Sequence, residues 1–154
     1  DWSSDVCSSD LYDPCMHSTE HILNGTMIKL FDCGRSFDMH LEKKKSKCDY
    51  HFDRQITAEE KQNIEKMVND TIKRNLEVKI YYVAPEKAAE MGIDTSKLPK
   101  EALEKDIRVV QIGDYDTSAC IGNHVSNTSE IKGLFRITST SYENGVLRMR
   151  WVVK

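Results

Sequence analysis

The chain has 154 residues, 39% hydrophobic and 31% charged, with a formal net charge of −3. That length suits one domain with a proper core and is too short for two. No apolar run approaches the ~18 residues of a membrane-spanning helix, no stretch has the apolar centre of a secretory signal, and the charge is wrong for a general nucleic-acid binder.

The first eleven residues, Asp1 to Leu11, have no periodicity and do not lead into the segment after them. They read as a non-native, adapter-derived tail, the alternative being a disordered native terminus. Without them Asp+Glu falls to 22 against 22 Lys+Arg, and one of the five cysteines, Cys7, is lost. Residues 12–154 are then a single domain. The remaining cysteines are irregularly spaced beside possible metal ligands, which suggests reduced thiols and a cytoplasmic setting rather than a disulfide framework.

From Pro14 to about Phe31 the pattern predicts a helix, with Pro14 suited to an early position and Gly25 interrupting it. Cys33-Gly34 breaks it. Two short strands come next, Ser36 to Leu41 and Lys47 to Phe52, joined by a basic tip, Glu42-Lys-Lys-Lys-Ser46. Thr57-Ala-Glu-Glu60 has the spacing of a capping box. Ile64, Met67, Val68 and Ile72 then mark one buried stripe of a helix ending near Arg74-Asn75. Glu77 to Val83 alternates as a strand, with Val78, Ile80 and Tyr82 on its apolar face.

Ala84-Pro85 opens a short helix that Gly92 closes, and residues 93–105 are loop with room for one more helical turn. Ile107 to Ile112 is a β-branched run and hence a buried strand. Gly113 to Asp116 is a turn that leads at once into the Cys120 to His124 segment. Ile131 to Thr138 and Val146 to Val153 are strands around Glu143-Asn144-Gly145, Asn-Gly being a strong hairpin signal. The sum is an α+β domain with a largely antiparallel sheet packed with helices.

Two clusters carry chemistry. His17-Ser-Thr-Glu-His21 places two imidazoles at i and i+4, on one helix face. Cys120-Ile-Gly-Asn-His124 offers a thiolate and a further imidazole. Nitrogen and sulfur are the donors Zn²⁺ prefers, and two plus two completes a tetrahedral shell. Four protein ligands describe a closed, structural site. If Cys120 stood back, the three histidines would leave a position open to water or substrate. The spacing does not choose between these.

These two half-motifs, with Asn127-Thr-Ser-Glu-Ile131 after them and the Ile64-Glu-Lys-Met-Val-Asn69 helix between them, resemble the editing domain of alanyl-tRNA synthetases, and most closely the small stand-alone alanyl-tRNA editing proteins. The resemblance runs from Met16 to Lys154. It implies an editing-domain-like fold and an aminoacyl-tRNA hydrolase that deacylates mischarged tRNA(Ala), chiefly Ser-tRNA(Ala) and, in some members of the family, Gly-tRNA(Ala). It implies Zn²⁺ held by His17, His21, Cys120 and His124; no obligate protein partner is inferred. The chain departs from the family in having Ile121-Gly122 where two glycines often follow the cysteine.

Within that implication, Ser36, His40 and Glu20 are candidate catalytic or pocket residues. Ser36 and His40 fall in the segment expected to line an amino-acid pocket, where a site built around a hydroxyl rejects analogues lacking one. Glu20 projects roughly 100° from His21 and is either beside the metal or solvent-facing. Lys43, Lys44, Lys45 and Lys47 are candidate phosphate partners for the tRNA acceptor end. Two other readings stand. His17-Ser-Thr-Glu-His21 also spells the inverted zinc-peptidase motif with Glu20 as general base, which would not use Cys120 or His124. A non-catalytic zinc-stabilised module binding tRNA or a synthetase is the third. The closing strand at Trp151-Val-Val-Lys154 argues against a fragment of a synthetase, while the adapter-like start leaves missing upstream residues or domains open.

Overall fold

Residues 13–96 and 98–154 are described by a computed structural model; the expected tail at residues 1–11 lies outside them. Helix α1 spans Pro14–Phe31. Its start follows from Asp13, whose side chain accepts the Cys15 N–H, and from Pro14, which has no N–H to leave unpaired. Asp32 ends it in the left-handed region (φ 53°). The helix runs through Gly25 unbroken, because that glycine lies against β5: a Cβ there would stand 3.3 Å from Asp116 Cβ and Tyr115 Cδ2.

Strands β1 (Asp38–Leu41) and β2 (Ser46–His51) form the expected hairpin. Helix α2 (Ala58–Lys73) opens on the full capping box, Thr57 and Glu60 each accepting the other's backbone N–H. Strand β3 (Val78–Val83), the short helix α3 (Pro85–Glu90), a 3-10 turn (Lys100–Glu104), β4 (Ile107–Ile112) and β5 (Asp116–Ala119) follow. Last come β6 (Phe135–Glu143) and β7 (Val146–Val153), turned by Asn144 and Gly145 at φ 51° and 82°, the left-handed pair that a two-residue hairpin requires.

The strands make two antiparallel sheets, β1-β2-β7-β6 and β3-β4-β5. The inner face of the larger carries Cys48, Tyr50, Leu147, Met149 and Trp151. These share one core with Ile22, Leu23 and Met27 of α1, Ile64 and Val68 of α2, and Val110 and Ile112 of β4. Its outer face is a charge ladder in which Arg148 grips Asp49 through two hydrogen bonds of 2.9 and 3.0 Å. A second, smaller core under α3 joins Ala88, Ile107 and Val109. Among the described residues no helix is long and apolar enough to cross a membrane.

Three expectations are corrected. Residues 128–130 form a 3-10 turn and the strand expected at Ile131 begins at Phe135, continuing to the Asn-Gly turn, because the Thr140 and Tyr142 positions pair with Met149 and Leu147 over the core. The strand β5 was not expected; its four polar-rich residues owe their extended form to pairing with β4. On β3 the expected apolar face is buried only at Val78: Ile80 and Tyr82 are 43% and 62% exposed, while Tyr81 and Val83 of the opposite face pack on the α3 core. Alternation shows that a strand has two faces but not which of them a helix will cover.

Candidate metal centre

Twelve consecutive residues of α1, Met16 to Met27, are buried, and seven of those are polar or charged. A helix buried on all sides with that composition must find a partner for each polar group. Thr19 and Thr26 donate back to the Cys15 and Ile22 carbonyls (2.7 and 2.9 Å). Asn24 Oδ1 accepts the Ser36 N–H and the Tyr50 hydroxyl (3.1 and 2.7 Å), while Asn24 Nδ2 and the Ser36 hydroxyl both donate to Glu20 Oε2. That leaves His17, Ser18 and His21, which face β5 and the loop beyond it.

There the four ligand atoms of His17, His21, Cys120 and His124 all lie within 4.8 Å of one another. The spacing of i and i+4 supplies two of them. The third comes from Cys120 just past β5, whose backbone N–H donates to the Arg108 carbonyl (3.1 Å). Arg108 Nη1 in turn donates to the Cys120 and Gly122 carbonyls, 2.8 Å each, pinning the loop that brings His124 back over α1. The His17 and His124 rings stack with centroids 4.3 Å apart.

The donor set fits a zinc ion. Tetrahedral bonds of about 2.0–2.3 Å place neighbouring donors about 3.3–3.8 Å apart, and His17 Nε2 lies 3.5 Å from Cys120 Sγ. His21 Nδ1 is engaged by Ser118 Oγ and His124 Nδ1 by Ser18 Oγ, both at 3.0 Å, so each ring turns Nε2 to the centre. His124 Nε2 is buried with no hydrogen-bond partner among the described residues. Such a nitrogen is costly to leave unsatisfied unless something takes its lone pair.

The electrostatics favour neutral imidazoles at His21 and His124. Burial, then the neighbouring His124 and Arg35, hold His21 well below the usual histidine range. Burial, then His17 and Arg108, bring His124 down to about 2. For His17 burial works in the same direction, but the hydrogen bond and charge of Cys120 outweigh it and hold the ring above its ordinary value. Asp116 lies 3.6 Å from His21 Nδ1 and is fixed by Arg35 through bonds of 2.7 and 3.1 Å.

The other anticipated residues divide sharply. Glu20 is not solvent-facing: it is 3% exposed, with Oε1 3.7 Å from His21 Nε2. Ser36 is buried beside it with its hydroxyl committed to the Glu20 carboxylate. His40 stands on the exposed face of β1, paired with Glu42, and is not one of the four residues that converge. Lys43, Lys44 and Lys45 are exposed at the β1–β2 tip. Lys47 is half-buried between Asp38 and Asp49, 3.5 Å from each, which removes it from the set of uncommitted cations. Sequence reasoning missed Ser18, Ser118, Asn24 and Arg108. Asn24 sits one turn beyond Glu20 and was open to the same i, i+4 logic. Ser118 sits two residues before Cys120 and needed the unexpected strand to be seen.

A family model described as the threonyl and alanyl tRNA synthetase second additional domain matches residues 107–148, a span holding β4, β5, Cys120 and His124. The alanine–tRNA ligase of Desulforamulus reducens is 31% identical over 138 residues, 88% of this chain and 15% of that protein. The chain is alanyl-tRNA synthetase editing-domain-like. The alanine–tRNA ligase of Coxiella burnetii is 33% identical over 126 residues, covering 81% of this editing-domain-like chain and 14% of the ligase. That of Streptococcus pneumoniae is 49% identical over 82 residues, covering 53% and 9%. The chain thus spans only 9–15% of the length of these curated relatives.

Proposed function

We propose that this chain hydrolyses the ester of mischarged tRNA(Ala), chiefly Ser-tRNA(Ala) and also Gly-tRNA(Ala), at a zinc centre held by His17, His21, Cys120 and His124. The convergence of four nitrogen and sulfur donors from α1 and the loop after β5 carries the reading, and similarity to alanine–tRNA ligases supports the substrate class. Bound zinc would supply Lewis acidity toward the ester or its attacking water.

The protein's own part is positional. Ser118 and Ser18 fix the His21 and His124 rings so that both Nε2 atoms stay aimed inward. The Glu20, Asn24, Ser36 and Tyr50 network makes a buried polar wall beside His21. Glu20 Oε1, near the His21 ring, is the group on that wall suited to accept a proton from water or to receive a substrate ammonium. Because Ser36 is committed to Glu20, it acts on substrate through that carboxylate. The peptidase alternative is disfavoured, since it does not need the thiolate and imidazole that meet the histidine pair here.

The test is deacylation of Ser-tRNA(Ala), Gly-tRNA(Ala) and Ala-tRNA(Ala) by purified protein, with zinc measured on the same sample. Loss of serine and glycine with alanine spared, abolished by Cys120→Ala, is expected. Stoichiometric zinc with no hydrolysis of any of the three would sink the enzyme reading and leave a binding module. Glu20→Gln should weaken deacylation without conferring or removing any peptidase activity.

A further inference from the structure

In an antiparallel sheet, directly paired residues project to the same side. In the smaller sheet Tyr82 pairs with Arg108 and Ile80 with Val110. Val110 pairs in turn with Ser118, and the bond from the Cys120 N–H to the Arg108 carbonyl continues the outer row. One face therefore reads Tyr82, Arg108, Cys120 across one row and Ile80, Val110, Ser118 across the next. Its β5 edge carries a member of the metal cluster and the serine that orients His21.

The cover on this face is partial. Val110 and Ile112 are fully buried in the main core, but the β3 edge is open, with Ile80 43% and Tyr82 62% exposed. Single exposed apolar residues are ordinary. These two lie side by side on one strand and in line with the cluster. Between them and the cluster stands Arg108, anchored to two carbonyls of the Cys120 loop.

We propose that Ile80 and Tyr82 form a shelf on which the terminal base of the RNA acceptor end stacks while its ester lies at the cluster. The inference rests on the deacylase reading and names the substrate contact that reading lacks. The occupant follows from distance and chemistry. From β3 to β5 is two inter-strand steps, roughly 10 Å, the reach of a nucleoside from its ester-bearing ribose oxygen to the far edge of its base. An aromatic side chain with an aliphatic neighbour offers a flat apolar platform that any base can cover. A second copy of the chain would cover Ile80 and Tyr82 as well, but gains nothing from their alignment with Cys120.

The experiment measures binding of uncharged tRNA(Ala), intact or lacking its terminal adenosine, to wild-type protein, Tyr82→Ala and Tyr82→Phe. Tyr82→Ala should weaken binding of intact tRNA about 5- to 100-fold. It should leave the truncated tRNA unchanged, and Tyr82→Phe should retain wild-type affinity for both. Equal weakening for the two RNAs, or no weakening for either, overturns the shelf. So does a wild-type dimer in solution that Tyr82→Ala converts to monomer. Wild-type deacylation is assayed alongside. Its absence defeats the deacylase reading alone, whereas a hydrolysing wild type with an unaffected Tyr82→Ala defeats only the shelf.

Discussion

His124 meets two different environments, Ser18 at Nδ1 and, among the described residues, no hydrogen-bond partner at Nε2. With Nε2 given to a metal, the proton sits on Nδ1 and Ser18 accepts it, while also accepting the Val125 N–H at 3.1 Å. Ser18→Ala should therefore lower zinc affinity about 10- to 100-fold, read by competition with a chromogenic chelator; unchanged affinity would deny the serine its role. Acid should act on the metal-free protein through the same rings. His21 and His124 hold their pKa values below those of the unfolded chain, so the unfolded state binds more protons as pH falls below about 6.5. The stability they confer is complete above that value and drains away toward the folded values, about 2 for His124. His17, shifted upward, opposes this only above about 6.5 and adds no slope below it. Urea unfolding of zinc-free protein between about pH 6 and 5 should lose up to about 2.7 kcal/mol per pH unit, two protons' worth. A flat profile would contradict the burial of two neutral imidazoles.

At the scale of elements, α1 and α2 respond to mutation in different ways. Gly25 is where α1 touches β5, and a Cβ there would already be tight, 3.3 Å from Tyr115 and Asp116, so a larger side chain must push them away. Gly25→Leu should cost about 1–3 kcal/mol or more and lower zinc affinity, because β5 carries Ser118 and leads into Cys120. Thr57→Ala removes one cap of α2 for about 1 kcal/mol and should leave zinc binding intact. Thermal unfolding with and without zinc distinguishes the two, and equal effects on zinc would break the link between β5 position and the cluster. The same contrast explains what could be read from sequence. The bounds of α1, the capping box and the Asn-Gly hairpin are signals carried within a few residues, and all three appear in the structure. The histidine pair was equally local. Strand β5, the covered side of β3 and the late start of β6 depend on pairing with residues far along the chain. Ser118 and Arg108 escaped notice for that reason.

Across the whole molecule, the cluster ties residue 17 to residue 124 and so fastens the first helix to the smaller sheet. Zinc bound only by the folded chain adds stability by mass action, about 4 kcal/mol at a thousandfold excess over its dissociation constant. Chelation should then lower the melting temperature, and zinc should restore it; a melting temperature indifferent to both would mean the ion is not held by the folded state. The α+β architecture, two antiparallel sheets around α1, agrees with what the strand pattern and the family resemblance led one to expect.

The burial of α1 on every side also bears on how the molecule is made. Its partners include Tyr50, Tyr115, Val125 and the core strand that ends past Trp151. A ribosome adding 5–20 residues per second takes roughly 6–25 s to travel from the end of that helix to the last of them. Throughout that interval the 18-residue segment lacks the tertiary packing from which most helical stability in proteins comes, and its two imidazoles lack the other half of their cluster. A nascent chain paused before Cys120 would hold two of the four ligands and none of the loop that completes the cluster.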